Sequence, residues 1–158
     1  MIKEYKKLVN DKKFKSWINK NKDSYLCSVF LLKDQEKSSG WQFDYYLPKK
    51  KRMATFVVAD EINVSKNQKI FTKSTSIDQI NLKDVKFSFD NVVKLVMPKY
   101  KGKRFVKEII IIQSLDSKLL WNVSLVTTDF NLINLKIDAV DGKILEETSS
   151  SLLQFKTS

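Results

Sequence analysis

Trp41 and Trp121 stand 80 positions apart, and the residues around them match at the same offset. Tyr25-Leu26 falls on Phe105-Val106, Phe30 on Ile110, and Leu31-Leu32 on Ile111-Ile112. Beyond the tryptophans, Met53, Thr55, Val57 and Ala59 fall on Ile133, Leu135, Ile137 and Ala139, apolar or small on every second residue. A self-match at fixed period that keeps both indoles and the strand phase implies one structural unit written twice. Identity between the copies is low, so the match is one of pattern.

Each copy reads as a helix followed by four strands. Residues 2–20 carry Ile2, Tyr5, Leu8, Val9, Trp17 and Ile18 at spacings of three and four, with lysines between, which predicts one amphipathic helix. Strands are expected at Tyr25–Lys33, Trp41–Leu47, Arg52–Ala59 and from Val64 to Phe71, with a polar turn over 33–40. Thr72–Asp78 is the one stretch resembling a linker. In the second copy Ser88 can N-cap a helix whose buried stripe is Phe89, Val92, Val93 and Val96, and Pro98 ends it early. Strands then follow at Arg104–Gln113, Trp121–Thr127, Asn131–Ala139 and Lys143 to about Leu153. Asp141-Gly142 signals the final hairpin, where both central residues must tolerate positive φ.

Residue types remove most chemistries. The chain has no histidine and one cysteine, Cys27, inside an apolar run, so zinc sites, Ser-His-Asp and Cys-His arrangements are excluded. There is no glycine-rich phosphate loop. Asp138, Asp141, Glu146 and Glu147 could support two-carboxylate chemistry, but they fit solvated turn and edge positions. No catalytic residue, metal ligand or cofactor is expected. Trp17, Trp41 and Trp121 read as core anchors rather than stacking platforms. The sequons Asn63-Val64-Ser65 and Asn122-Val123-Ser124 fall within expected strands and read as coincidence.

The net charge of +11 is uneven: residues 1–75 hold 17 Lys+Arg against 8 Asp+Glu, and residues 76–158 hold 12 against 10. Two basic clusters are candidate anion or partner sites: Lys49, Lys50, Lys51 and Arg52, and then Lys99, Tyr100, Lys101, Lys103 and Arg104, where an aromatic ring interleaves with the cations. Only two of the 29 cations are arginine, whose planar fork suits phosphates and bases, so a solvated surface competes with a nucleic-acid site. The first residues carry no apolar stretch after their charges, and no run approaches the ~18 apolar residues of a membrane span, which predicts a cytoplasmic protein.

Trp121-Asn122-Val123 followed by Leu135-Lys136-Ile137-Asp138-Ala139-Val140-Asp141-Gly142-Lys143-Ile144-Leu145 resembles the end of a PepSY domain. Phe87-Ser88-Phe89-Asp90-Asn91-Val92-Val93 resembles that family's helix start. The resemblance covers about 83–150 directly and the first copy through the repeat. It implies a cystatin-like α+β architecture and a non-enzymatic binding or regulatory module; such domains are associated with peptidase propeptides and inhibition and usually act outside the cytoplasm. The expectation is two tandem cystatin-like, PepSY-like repeats, residues 1–75 and 76–158, each one helix on a four-stranded antiparallel sheet, packed as one body. A polypeptide bound at a sheet edge or concave face is the first partner expected; nucleic acid on the basic first half is the alternative.

Overall fold

A computed structural model describes residues 1–34, 37–69 and 77–153. The first surprise is at Asp11. Its backbone is extended (φ −67°, ψ 136°) and its carboxylate accepts from the Phe14 N–H at 2.9 Å, so it N-caps a new helix. The single helix expected over 2–20 is therefore two, α1 (Ile2–Asn10) and α2 (Lys12–Lys20). The break keeps the apolar stripe on the core: Leu8 and Phe14 are buried, with Tyr5, Val9, Trp17 and Ile18 packed against it.

The strands of the first half are β1 (Tyr25–Asp34), β2 (Ser38–Leu47), β3 (Arg52–Val58) and β4 (Ile62–Lys69). Those of the second are β5 (Phe105–Leu115), β6 (Lys118–Thr127), β7 (Asn131–Asp138) and β8 (Ile144–Ser151). Helix α3 (Phe89–Val96) precedes β5. The Ser88 hydroxyl caps it by accepting from Asn91 N–H at 3.3 Å, and beyond Val96 the chain tightens into a 3-10 turn, Met97–Tyr100, containing Pro98. Residues 72–76 of the expected linker, and the expected strand end at Phe71, lie outside the described residues.

All eight strands form one antiparallel sheet, in the order β4-β3-β2-β1-β5-β6-β7-β8. This corrects the expectation of a separate four-stranded sheet in each copy: β1 and β5 pair in the centre, with Phe30 opposite Ile111 and Leu31 opposite Ile110. A shift of 80 residues turns one of those pairs into the other. Separate sheets would leave four edges of unpaired N–H and C=O groups; joining β1 to β5 removes two of them.

The helices cover one face of the sheet, and the core runs across both halves without interruption. On β2 the residues turned inward are Trp41, Phe43 and Tyr45, as the alternation predicts. On β3 the expected face is wrong by one residue: Ala54, Phe56 and Val58 are buried, while Met53, Thr55 and Val57 are half-exposed and Ala59 is exposed. Trp41 pairs with Val58 where Trp121 pairs with Ile137, so the offset between the two halves drops to 79 along this strand. In the last hairpin only Gly142 (φ 77°) has positive φ, and the Asp138 carboxylate holds the turn by accepting from Val140 N–H at 2.8 Å.

Candidate functional site

The two basic clusters do not meet. Lys49 and Lys50 lie in a 3-10 turn after β2, Lys51 takes a left-handed conformation (φ 48°), and Arg52 opens β3. That turn lies at the sheet end where Tyr25 pairs with Tyr46. Arg104 precedes β5, at the end where Asp34 pairs with Lys107. The length of β1, about 30 Å at ~3.3 Å per residue, separates them. Within the first cluster Lys50 donates to the Asn21 side-chain oxygen at 2.9 Å. Lys49, Lys51 and Arg52 are exposed, as are Lys101, Lys103 and Arg104.

Lys99 and Tyr100 have a different role. The 3-10 turn brings both onto the last strand, where the Lys99 ammonium lies 2.6 Å from one oxygen of Glu147 and the Tyr100 hydroxyl donates to the other. The hydrogen bond from Lys99, and then that from Tyr100, hold the Glu147 carboxyl below the usual carboxylate range. Burial, followed by the negative Glu147, pushes the Tyr100 hydroxyl upward. Sequence reasoning paired neither residue with Glu147, 47 and 48 positions away, because no local pattern encodes that contact.

The clamp lies on β8, one of the two sheet edges. Its side chains from Leu145 to Ser150 are all exposed, while its backbone pairs with β7 from Asn131–Ser151 to Ile137–Ile144. The other edge, β4, contains Lys66 and Lys69; β8, with the sequence ILEETSSS, contains neither lysine nor proline. Lysine and proline are common guards of free strand edges. Edge β8 lacks both.

The remaining candidate chemistry dissolves into structure. Each carboxylate near the last hairpin has its own partner: Asp138 the turn N–H groups, Asp141 Lys143 at 2.9 Å, Glu146 Lys136 at 2.7 Å. The Cys27 thiol is buried beside the Asp44 carbonyl, and burial pushes it up to about 12, so it stays protonated and inert at neutral pH. On the uncovered face Asp44 accepts from Ser28, Gln42 and Thr55 at 2.7–3.0 Å. At the matching place in the second half, Asn134 donates to Asn122 and Ser124. Among the described residues no cluster of His, Cys, Asp or Glu could hold a metal ion, and no helix is long and apolar enough to cross a membrane.

No family model matches the chain, and neither does any curated protein. Among solved structures the fold is similar to the crystal structure of a "putative lipoprotein" from Clostridium difficile 630. That match has a TM-score of 0.57 at 12% identity and covers 87% of this chain and 90% of that one. At such identity the likeness concerns the fold alone: an α+β chain with an antiparallel sheet.

Proposed function

We propose that the protein is a non-enzymatic binding or regulatory module of PepSY-like type, two cystatin-like repeats fused through β1 and β5, which takes an extended polypeptide along the free edge of β8. The observation that carries this reading is an eight-residue edge strand without lysine or proline, held in place by Lys99 and Tyr100 from its inner side. An added strand gains main-chain hydrogen bonds along the edge, and its alternate side chains give specificity. The repeat is supported by the central ladder, which an 80-residue shift maps onto itself.

A cytoplasmic location belongs to the same proposal. The neighbour's name points to an envelope instead, and fractionation of native cells separates the two. Nucleic-acid binding is the second reading, favoured by the lysines of α1 and α2. It requires affinity that collapses steeply between 50 and 200 mM salt.

The test uses a threonine-valine pentapeptide and its N-methylated counterpart, which cannot complete a ladder. The unmethylated peptide is expected to slow hydrogen exchange at alternate β8 amides, and the methylated one to leave them unchanged. Equal effects from both peptides, or none from either, would end the edge reading.

A further inference from the structure

The geometry points to a second polypeptide contact, independent of the β8 edge: the cleft beside Trp41 is a receptor for an aromatic side chain supplied by a partner. The two halves close the same corner differently. In the second half the corner is full. Trp121 donates its indole N–H to the Phe87 carbonyl at 2.8 Å, and the Phe87 N–H donates to the Ala139 carbonyl at 2.9 Å. The Phe87 ring lies on Gly142, so close that a Cβ there would meet it at 2.4 Å. A phenylalanine thus caps the turn with its backbone, gives the indole its acceptor and covers the turn glycine with its ring.

In the first half Lys7 takes the place of Phe87 at this turn, and the offset of 79 along β3 sets the Asp60 carbonyl against that of Ala139. They still meet, but through a thin side chain: the Lys7 ammonium donates to Ala59 O at 2.9 Å and to Asp60 O at 2.6 Å. With no ring over this turn, a cleft of about 540 Å³ opens there, lined by Trp41, Gly40, Val58, Ala59, Lys3 and Lys7 among others. That volume falls within the range of small-molecule pockets. Trp41 is 8% exposed where Trp121 is 0% exposed, and its indole N–H makes no hydrogen bond with the described residues. Glu4 and Asp60 offset Lys3 and Lys7 along the lining, so nothing selects for a charged ligand. What the first half lacks, by comparison, is a ring over the turn and a main-chain carbonyl for the indole. A phenylalanine in an extended peptide supplies both.

The experiment uses the full chain labelled with ¹⁵N and N-acetyl-phenylalanine methylamide as probe, the alanine analogue serving as control. The Trp41 indole signal, assigned through Trp41→Phe, is expected to move saturably with the phenylalanine probe. The Trp17 and Trp121 indoles and the β8 amides stay still, and the alanine analogue binds at least tenfold more weakly. Lys7→Phe, which places a ring in the corner from within, should abolish the response while the Trp121 signal reports an intact fold. Should that variant not fold, the contrast between the two probes on the unmodified protein decides alone. Equal shifts from both probes, or equal shifts at Trp41 and Trp121, would overturn the assignment. So would a Trp41 signal that moves with protein concentration alone and then ignores the probe, since a second copy would be the occupant. Signals confined to β8 would leave the edge reading standing and remove this one.

Discussion

Trp41 and Trp121 begin equivalent stretches of equivalent strands, yet one lies beside an open cleft and the other is sealed. Between them stands Phe89 of α3, whose ring centroid is 5.1 Å from that of Trp41 and 6.2 Å from that of Trp121. One residue of the second half therefore serves both indoles. Their other neighbours differ: Phe87 accepts from Trp121, while Lys7 reaches past Trp41 to the turn carbonyls. The two halves of the sheet tolerate different closures because the ladder fixes the strands, and each corner needs only a donor for the turn carbonyl. Truncating the two indoles is the most forceful way to break this comparison. Trp121→Ala should cost about 3–5 kcal/mol, as for buried large-to-small changes generally, and Trp41→Ala should fall at or below the lower end of that range. Urea denaturation measures both, and equal losses would mean that the corners are alike after all.

The glycines sharpen it. Gly142 (φ 77°) and Gly40 (φ 75°) both hold a conformation that costs other residues about 1–2 kcal/mol. The obstacles to a side chain differ, being the Phe87 ring at Gly142 and the Val58 carbonyl at 2.9 Å at Gly40. Each alanine variant should lose about 2 kcal/mol or more. Part of the loss at Gly142 should be recovered in a Phe87→Ala background, measured as a double-mutant cycle; the loss at Gly40 should not be. A smaller effect belongs to Lys7→Met, which keeps the stem and removes the ammonium. Two exposed charge-assisted hydrogen bonds disappear, and about 1 kcal/mol with them. A thermal melt showing no change would mean that water serves the Ala59 carbonyl equally well.

How far these features could be read beforehand depends on how local their causes are. Ser88 and Pro98 announce α3 within a few residues of its ends, and the tryptophans with their alternating neighbours announce β2 and β6. The phase of β3 was ambiguous because Met53-Ala54-Thr55-Phe56-Val57-Val58 is apolar in either alternation. The Asp11 break hid in a polar stretch, Asn10-Asp11-Lys12, that a continuous helix could also carry on its outer face. A signal for the fused sheet was present in Ile109-Ile110-Ile111-Ile112, apolar on both faces as a central strand tends to be. The pairing of β1 with β5 itself, and the reach of Lys99 and Tyr100 to Glu147, depend on distant chain and left no local trace.

The two edges of the sheet extend the comparison, and the clamp on β8 should respond to pH at both ends of the scale. Glu147 titrates below its ordinary value in the folded chain, so its contribution is complete above the unfolded carboxylate's pKa of 4.5 and is lost as pH falls through the lower, folded value. Tyr100 titrates above its ordinary 10.0, so its contribution is complete below pH 10 and is lost as pH rises toward the folded value. Between those limits stability should be flat with respect to both groups. The pair is half-exposed and screened by salt, so Tyr100→Phe or Lys99→Gln should cost under about 1 kcal/mol globally, the smallest effect of the set. Locally the effect is easier to see: β8 amides, compared with their intrinsic exchange rates, should lose protection as pH falls below 4.5 in the unmodified chain and already lack it at neutral pH in the double variant. Uniform exchange along β8 in both proteins would show that pairing with β7 alone holds the edge, and that Lys99 and Tyr100 do not position it for an incoming strand.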